Sequence, residues 1–267
     1  MLTLGSMFCG NRVARSGKGT MLLRSKKACA FLFGNRTVTL TNKEGTAAPS
    51  SIVVEIEEMP RSDHAAMVDG VLDAGNYSVQ LCEPKDLALE PSGPLDMVPC
   101  LRSLTPFIVK KRMSMTTPLL MHLGRAEAPE GMEGWMARKQ ASLLEGSPGP
   151  IELARRMLGL GYGLTPSGDD FILGIILAHE LVGSSVQEVR GIVEAYENPL
   201  SRTILLDALD GQYALPVKRL GDAMLGNGKI GQAAYDLTKY GHSSGSDIIS
   251  GIWYIFRNWR SNCGPFG

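Results

Sequence analysis

One feature constrains this chain more than any other: an apolar, helix-forming run that opens on aspartate, carries glycine a turn later, and occurs twice. Thr165-Pro-Ser-Gly-Asp-Asp170-Phe-Ile-Leu-Gly174-Ile aligns without a gap onto His242-Ser-Ser-Gly-Ser-Asp247-Ile-Ile-Ser-Gly251-Ile. Ser167 and Ser244, Gly168 and Gly245, Asp170 and Asp247, and Gly174 and Gly251 all recur at one offset of 77 residues. Residues four apart share a helix face, so each later glycine lies on the side of its aspartate. A glycine there lets a second backbone come close. The expectation is two helices packed against each other with their mouths adjacent, Asp170 and Asp247 lining one pocket.

The residue types at these mouths suit chemistry as well as capping. Ser167 and Ser244 are expected as N-caps, accepting from first-turn amides, and Asp170 and Asp247 fall where the helix dipole favours a carboxylate. Capping alone is the plainer alternative. The doubling of the motif, the extra Asp169 in one copy, His242 in the other, and the bare backbone of Gly161 and Gly163 favour a site for a small, polar, anionic molecule. Helix-start amides suit phosphate or carboxylate. The aspartates would repel such an anion unless they orient a donor or hold a cation such as magnesium; the residues leave both possibilities open and name no metal.

Hydrophobic periodicity changes along the chain. Short β-branched and apolar runs, ACAFLFG (28–34), RTVTLTN (36–42), SIVVEI (51–56), YSVQLCE (77–83) and PFIVKK (106–111), predict strands, the first two joined by a Gly34-Asn35 hairpin turn. After Pro150 apolar residues recur at three- and four-residue spacings with glycine at the stops, which predicts helices. The fold class expected is α+β: an antiparallel sheet or barrel over 1–123, a linker with one short helix over 124–150, and a helical domain over 151–267 carrying both motifs.

The 27 basic and 27 acidic residues cancel, which argues against a general binder of nucleic acid or membrane surface. The first 27 residues hold six basic and no acidic side chains, expected as a solvated or partner-facing arm. Five scattered cysteines without CxxC spacing suggest reduced thiols. With no apolar run near about 18 residues and no signal-peptide core, a cytoplasmic protein is expected. Arg15-Ser-Gly-Lys-Gly-Thr20 lacks the first glycine of a phosphate loop, and His64, His122 and His179 have no zinc-ligand spacing. No GxSxG elbow is present. The aromatic IWYIFRNW end reads as core or an oligomer contact.

GYGLTPSGDDFILG together with YGHSSGSDIISG resembles the paired signature of the AllH-type family, over roughly residues 155–255. A member of that family is a subunit of oxamate carbamoyltransferase, which works with two other proteins in anaerobic allantoin degradation, a branch of purine catabolism. The resemblance carries over to Thr165, Ser167, Asp169, Asp170, His242, Ser243, Ser244 and Asp247. It also implies a Gly-Pro loop followed by small residues at 48–52; Ala48 replaces the glycine here, while Ser50 and Ser51 are present. The function implied is a carbamoyltransferase-related enzyme subunit binding carbamoyl phosphate, oxamate or an oxalurate-like anion. Thr165, Ser167, Ser243 and Ser244 would be donors, Asp170 and Asp247 would orient an amine or a cation, and His242 would carry the proton. Two alternatives stand beside it: a non-catalytic metabolite-binding or scaffold subunit of a complex with other carbamoyltransferase subunits, and a magnesium-dependent hydrolase.

Overall fold

A computed structural model describes residues 2–90 and 95–262, without the side chains of Glu44 and of residues 260–262; Cys263 lies outside the described residues. Among the described residues nine strands form one sheet: β1 (Leu2–Gly5), β2 (Phe8–Cys9), β3 (Gly17–Arg24), β4 (Ala28–Phe33), β5 (Arg36–Thr41), β6 (Ser51–Val53), β7 (His64–Val68), β8 (Val71–Ala74) and β9 (Tyr77–Gln80). Their order is β1-β9-β8-β7-β3-β4-β5-β6-β2. The β4–β5 hairpin closes as the sequence suggests, Phe33 opposite Arg36. Gly34 holds φ at 60°, the left-handed geometry a two-residue hairpin turn asks of glycine. Alternating side chains of these strands, Phe31, Leu40, Ile52, Met67, Leu72 and Val79 among them, are buried in one cluster.

Three expectations are corrected. The sheet is mixed, since β1–β9 and β5–β6 pair in parallel. The basic amino-terminal stretch is no arm: it supplies β1, β2 and all of β3, because Gly19, Met21 and Leu23 turn inward while Lys18, Thr20, Leu22 and Arg24 between them are exposed. PFIVKK forms no strand; a 3-10 turn at Thr105–Phe107 leads into a loop, as Pro106 removes a ladder donor.

Ten α-helices follow among the described residues: α1 (Met97–Leu104), α2 (Thr116–His122), α3 (Gly131–Ser142), α4 (Pro150–Met157), α5 (Ser167–Leu181), α6 (Arg190–Glu194), α7 (Pro199–Leu209), α8 (Leu215–Met224), α9 (Ile230–Leu237) and α10 (Ser244–Asn262). The fold is α+β. The chain divides into two compact units, one of residues 1–89 with 202–218 and one of 90–201 with 219–267. The division falls within α7 and within α8, and the segment 124–150 carries α3 inside the second unit. No helix among the described residues is long and apolar enough to cross a membrane. Cys9, Cys29, Cys82 and Cys100 are free thiols.

Candidate functional site at two helix mouths

α5 and α10 cross where the repeated glycines lie. A Cβ added to Gly174 would run into the Ile248 carbonyl oxygen, and one added to Gly251 would run into that of Phe171. Each such Cβ would also stand 3.1 Å from the other glycine's Cα. Phe171 and Ile248 are themselves 77 residues apart, so the contact is reciprocal: each helix seats a carbonyl on the other's glycine. Helix backbones this close exclude any side chain at the crossing, which is why glycine stands there despite its cost in helix propensity of about 1 kcal/mol. Phe171 and Tyr254 pack their rings nearby, 5.8 Å between centroids.

The crossing brings the two carboxylates into each other's field. Asp170 is 5 % exposed, and its Oδ2 accepts from the Thr165 hydroxyl at 3.3 Å. Burial, and after it the charge of Asp247, push Asp170 well above the usual carboxylate range, while the Ser244 hydroxyl of the other mouth favours its ion. Asp247 is fully buried. Its Oδ1 accepts from the Ser114 hydroxyl and the Met115 amide, both at 2.6 Å; its Oδ2 has no partner within hydrogen-bond geometry among the described residues, with the Ser243 hydroxyl the nearby group that favours its ion. Burial raises Asp247 to about 7, against the pull of Ser114, Met115, the Ser243 hydroxyl and the Lys111 charge. Two buried carboxyls that repel one another titrate as a pair. Near neutral pH such a pair can both donate and accept.

The neighbouring residues sort into holders and bystanders. Asp169 is fully engaged: Oδ1 accepts from the Gly159 amide at 2.7 Å and Oδ2 from the Tyr196 hydroxyl at 3.0 Å, so it ties down the loop before α5. Ser167 is not the expected N-cap. Pro166, extended at φ −51° and ψ 147°, holds that position without a side-chain cap bond, because its ring carries no oxygen to accept from the first-turn amides. Ser167 opens the helix instead, buried, its hydroxyl accepting from Gln140 Nε2 at 3.2 Å. Gly161, at φ 132°, faces the Ser167 amide and hydroxyl so closely that a Cβ would collide with both. Gly163, at φ 98°, is exposed in the same loop.

At the second mouth, Ser243 is half-buried and its carbonyl accepts from the Asp247 amide at 3.0 Å. Ser244 opens α10. His242 is exposed on the preceding loop and makes no hydrogen bond among the described residues. Ser50 and Ser51 belong to the first unit. There Ser50 donates to Asp207 Oδ2 at 2.8 Å beside the Arg36–Asp207 ion pair, and Ser51 accepts from the Ala48 amide at 2.8 Å.

Four residues of the second unit escaped the sequence reading: Lys111, Ser114, Ser246 and Tyr240. Lys111 Nζ donates to the Ser246 hydroxyl at 3.1 Å, and burial and the Asp170 charge push the Tyr240 phenol up to about 12. Tyr240 precedes the GHSSGSD motif by one residue, a signal in plain view. Lys111 and Ser114 lie 130 residues or more from α10, and no local pattern connects them to it.

A cleft of about 10 Å³ lies beside these groups, walled by Ser114, Thr117, Gln140, Gly161, Tyr162 and Ser167. It has room for about one water. Asp170 and Asp247 are not among the residues lining it. No three His, Cys, Asp or Glu side chains among the described residues are grouped so as to hold a metal ion. No solved structure matches the chain. Over residues 157–256, which contain both helix mouths, the chain matches the model of the family described as oxamate carbamoyltransferase subunit AllH, the family its two motifs resemble.

Proposed function

We propose that the protein is a carbamoyltransferase-related subunit that binds a small anionic metabolite, such as carbamoyl phosphate, oxamate or an oxalurate-like compound, at the paired mouths of α5 and α10. The observation that carries this reading is the unpartnered Oδ2 of fully buried Asp247 within the field of Asp170. A buried polar atom without a partner costs about 1–3 kcal/mol, and a ligand N–H would satisfy it. Metabolites of this class carry an amide beside an anionic group. The amide suits a carboxylate acceptor; the anionic group suits the amides and hydroxyls at a helix start, here those of Thr165 and Ser243, just before the two helices, and of Ser244.

Acyl transfer places developing charge on the carbonyl oxygen, which fixed donors stabilise. In this reading the carboxyl pair holds the amine in line and passes a proton, and His242, exposed at the loop, exchanges it with solvent. Gly161, Gly163 and Asp169 shape and anchor the loop that must move aside, since the cleft as it stands admits about one water. The matched family is described as a subunit, which supports a second reading, a non-catalytic subunit whose mouths hold a metabolite while other carbamoyltransferase subunits perform the chemistry.

Calorimetric titration of the full chain with oxamate and with carbamoyl phosphate, beside Asp170→Asn and Asp247→Asn, tests the site. The expected result is binding by the parent and its loss in both folded variants. Equal affinity in all three chains refutes the site. Turnover by the chain alone then supports the enzyme, and turnover only with added partner subunits supports the second reading.

A further inference from the structure

Lys111 stands where a cation is least expected. Its ammonium donates to Ser246 in the first turn of α10, at the helix end that already carries partial positive charge; lysines ordinarily favour the opposite end. The anion that could compensate it, Asp247, is buried and spends Oδ1 on Ser114 and Met115.

The chain nevertheless fixes Lys111 with unusual thoroughness. The Thr117 hydroxyl accepts from the Lys111 amide at 3.2 Å and donates to its carbonyl at 2.8 Å. The next two residues are held by one carboxylate, Glu133, which accepts from Arg112 Nε at 3.0 Å and from the Met113 amide at 3.2 Å. Met113 adopts φ 53°, a conformation that non-glycine residues rarely keep without such support. Asp247 then holds Ser114 and Met115. A loop pinned at each of five successive residues presents one half-buried ammonium to a helix mouth.

We propose that Lys111 is the cationic group of this site: it receives the carboxylate or phosphate of a small ligand at the mouth of α10, while Asp247 Oδ2 accepts an N–H from the same ligand. The inference rests on the function proposed above and adds to it a residue and an orientation. The ligand's charged end lies toward Lys111 and Ser246, and its amide end toward the carboxyl pair. A ligand lacking either end loses one of its two anchors.

The test titrates the full chain and Lys111→Met with oxamate and with its neutral relative oxamide. A charge-assisted hydrogen bond contributes about 1.5–3 kcal/mol, so Lys111→Met should weaken oxamate roughly 10- to 100-fold and leave oxamide unchanged. Lys111→Arg should restore most of the oxamate affinity. If Lys111 only offsets the charge of Asp247 within the fold, its loss lowers the melting temperature and weakens both ligands alike, which overturns the proposal. Equal oxamate affinity in parent and Lys111→Met overturns it too, while leaving the helix-mouth site standing. Absence of binding by the parent removes both. Should Lys111→Met not fold, Ser246→Ala, which frees the ammonium from its guide, takes its place, with the same selective loss of oxamate expected and an equal loss of oxamide refuting it.

Discussion

Replacing Asp247 by Asn should change how stability depends on pH, in a direction the structure dictates. Asp247 is fully buried and raised from 3.8 to about 7. As pH climbs from about 4 the unfolded chain releases this proton while the folded chain keeps it, so folding loses stability up to about pH 7 and no further from this group. A displacement of roughly three units corresponds to about 4 kcal/mol. The asparagine retains an oxygen for Ser114 and Met115 and cannot ionise. Other charges face this carboxylate: Lys111, which favours its ion, and Asp170, which loses a repelling neighbour in the variant and so titrates closer to its ordinary range. Both differences lessen the slope. Urea unfolding of the full chain and of Asp247→Asn, at intervals from pH 4.5 to 8, should give curves that meet at the acid end and diverge above it, the variant standing higher by up to about 4 kcal/mol at pH 8. Parallel curves would refute the argument, because they would mean that Asp247 titrates as an ordinary carboxylate.

Three further outcomes are expected. Gly174→Ala should destabilise by about 1–3 kcal/mol or more through overpacking against the Ile248 carbonyl, while Gly191→Ala in α6, with open space around it, should stabilise by up to about 1 kcal/mol; paired thermal melts separate the two. Asp169→Asn should cost about 1–3 kcal/mol by weakening the bonds from Gly159 and Tyr196, and limited proteolysis should then cut the 158–166 loop, whose protection would contradict an anchoring role. Arg36→Ala should cost about 3–5 kcal/mol, because it leaves Asp207, whose side chain is 4 % exposed, buried without its counter-ion; a variant as stable as the parent in urea would show that solvent reaches Asp207.

How much of this was legible in sequence depended on distance along the chain. The glycine crossing could be read because both partners carry the same local pattern, and helix periodicity converts a four-residue spacing into a shared face. β4 and β5 could be read because a two-residue turn joins them. β1, β2, β3, β7 and β8 were missed: β1 and β2 find their partners β9 and β6 only over long range, and basic residues on the solvent face of β3 masked its alternation. β7 and β8 are short strands joined by the Asp69-Gly70 turn, a local hairpin signal that was passed over. Ser167 was misread because Ser and Pro both fit a helix entrance, and tertiary contact with Gln140 drew the serine's hydroxyl elsewhere. Lys111 lies beyond any local inference. Only folding brings its loop to α10.

The Gly174–Gly251 crossing also determines what motion the two mouths can make. With a carbonyl seated on each glycine, neither helix can slide along the other without driving oxygen into backbone, so translation is blocked in both directions. Rotation about the contact is not. The pair is therefore a pair of scissors with its pivot four residues, about 6 Å, from the aspartates. A turn of about ten degrees moves each mouth by roughly 1 Å and spreads the far arms as well, where His179 meets Trp259 at 5.4 Å between centroids. Opening the mouths for a metabolite and drawing that distant aromatic contact apart are thus one movement, and whatever holds one end together restrains the other.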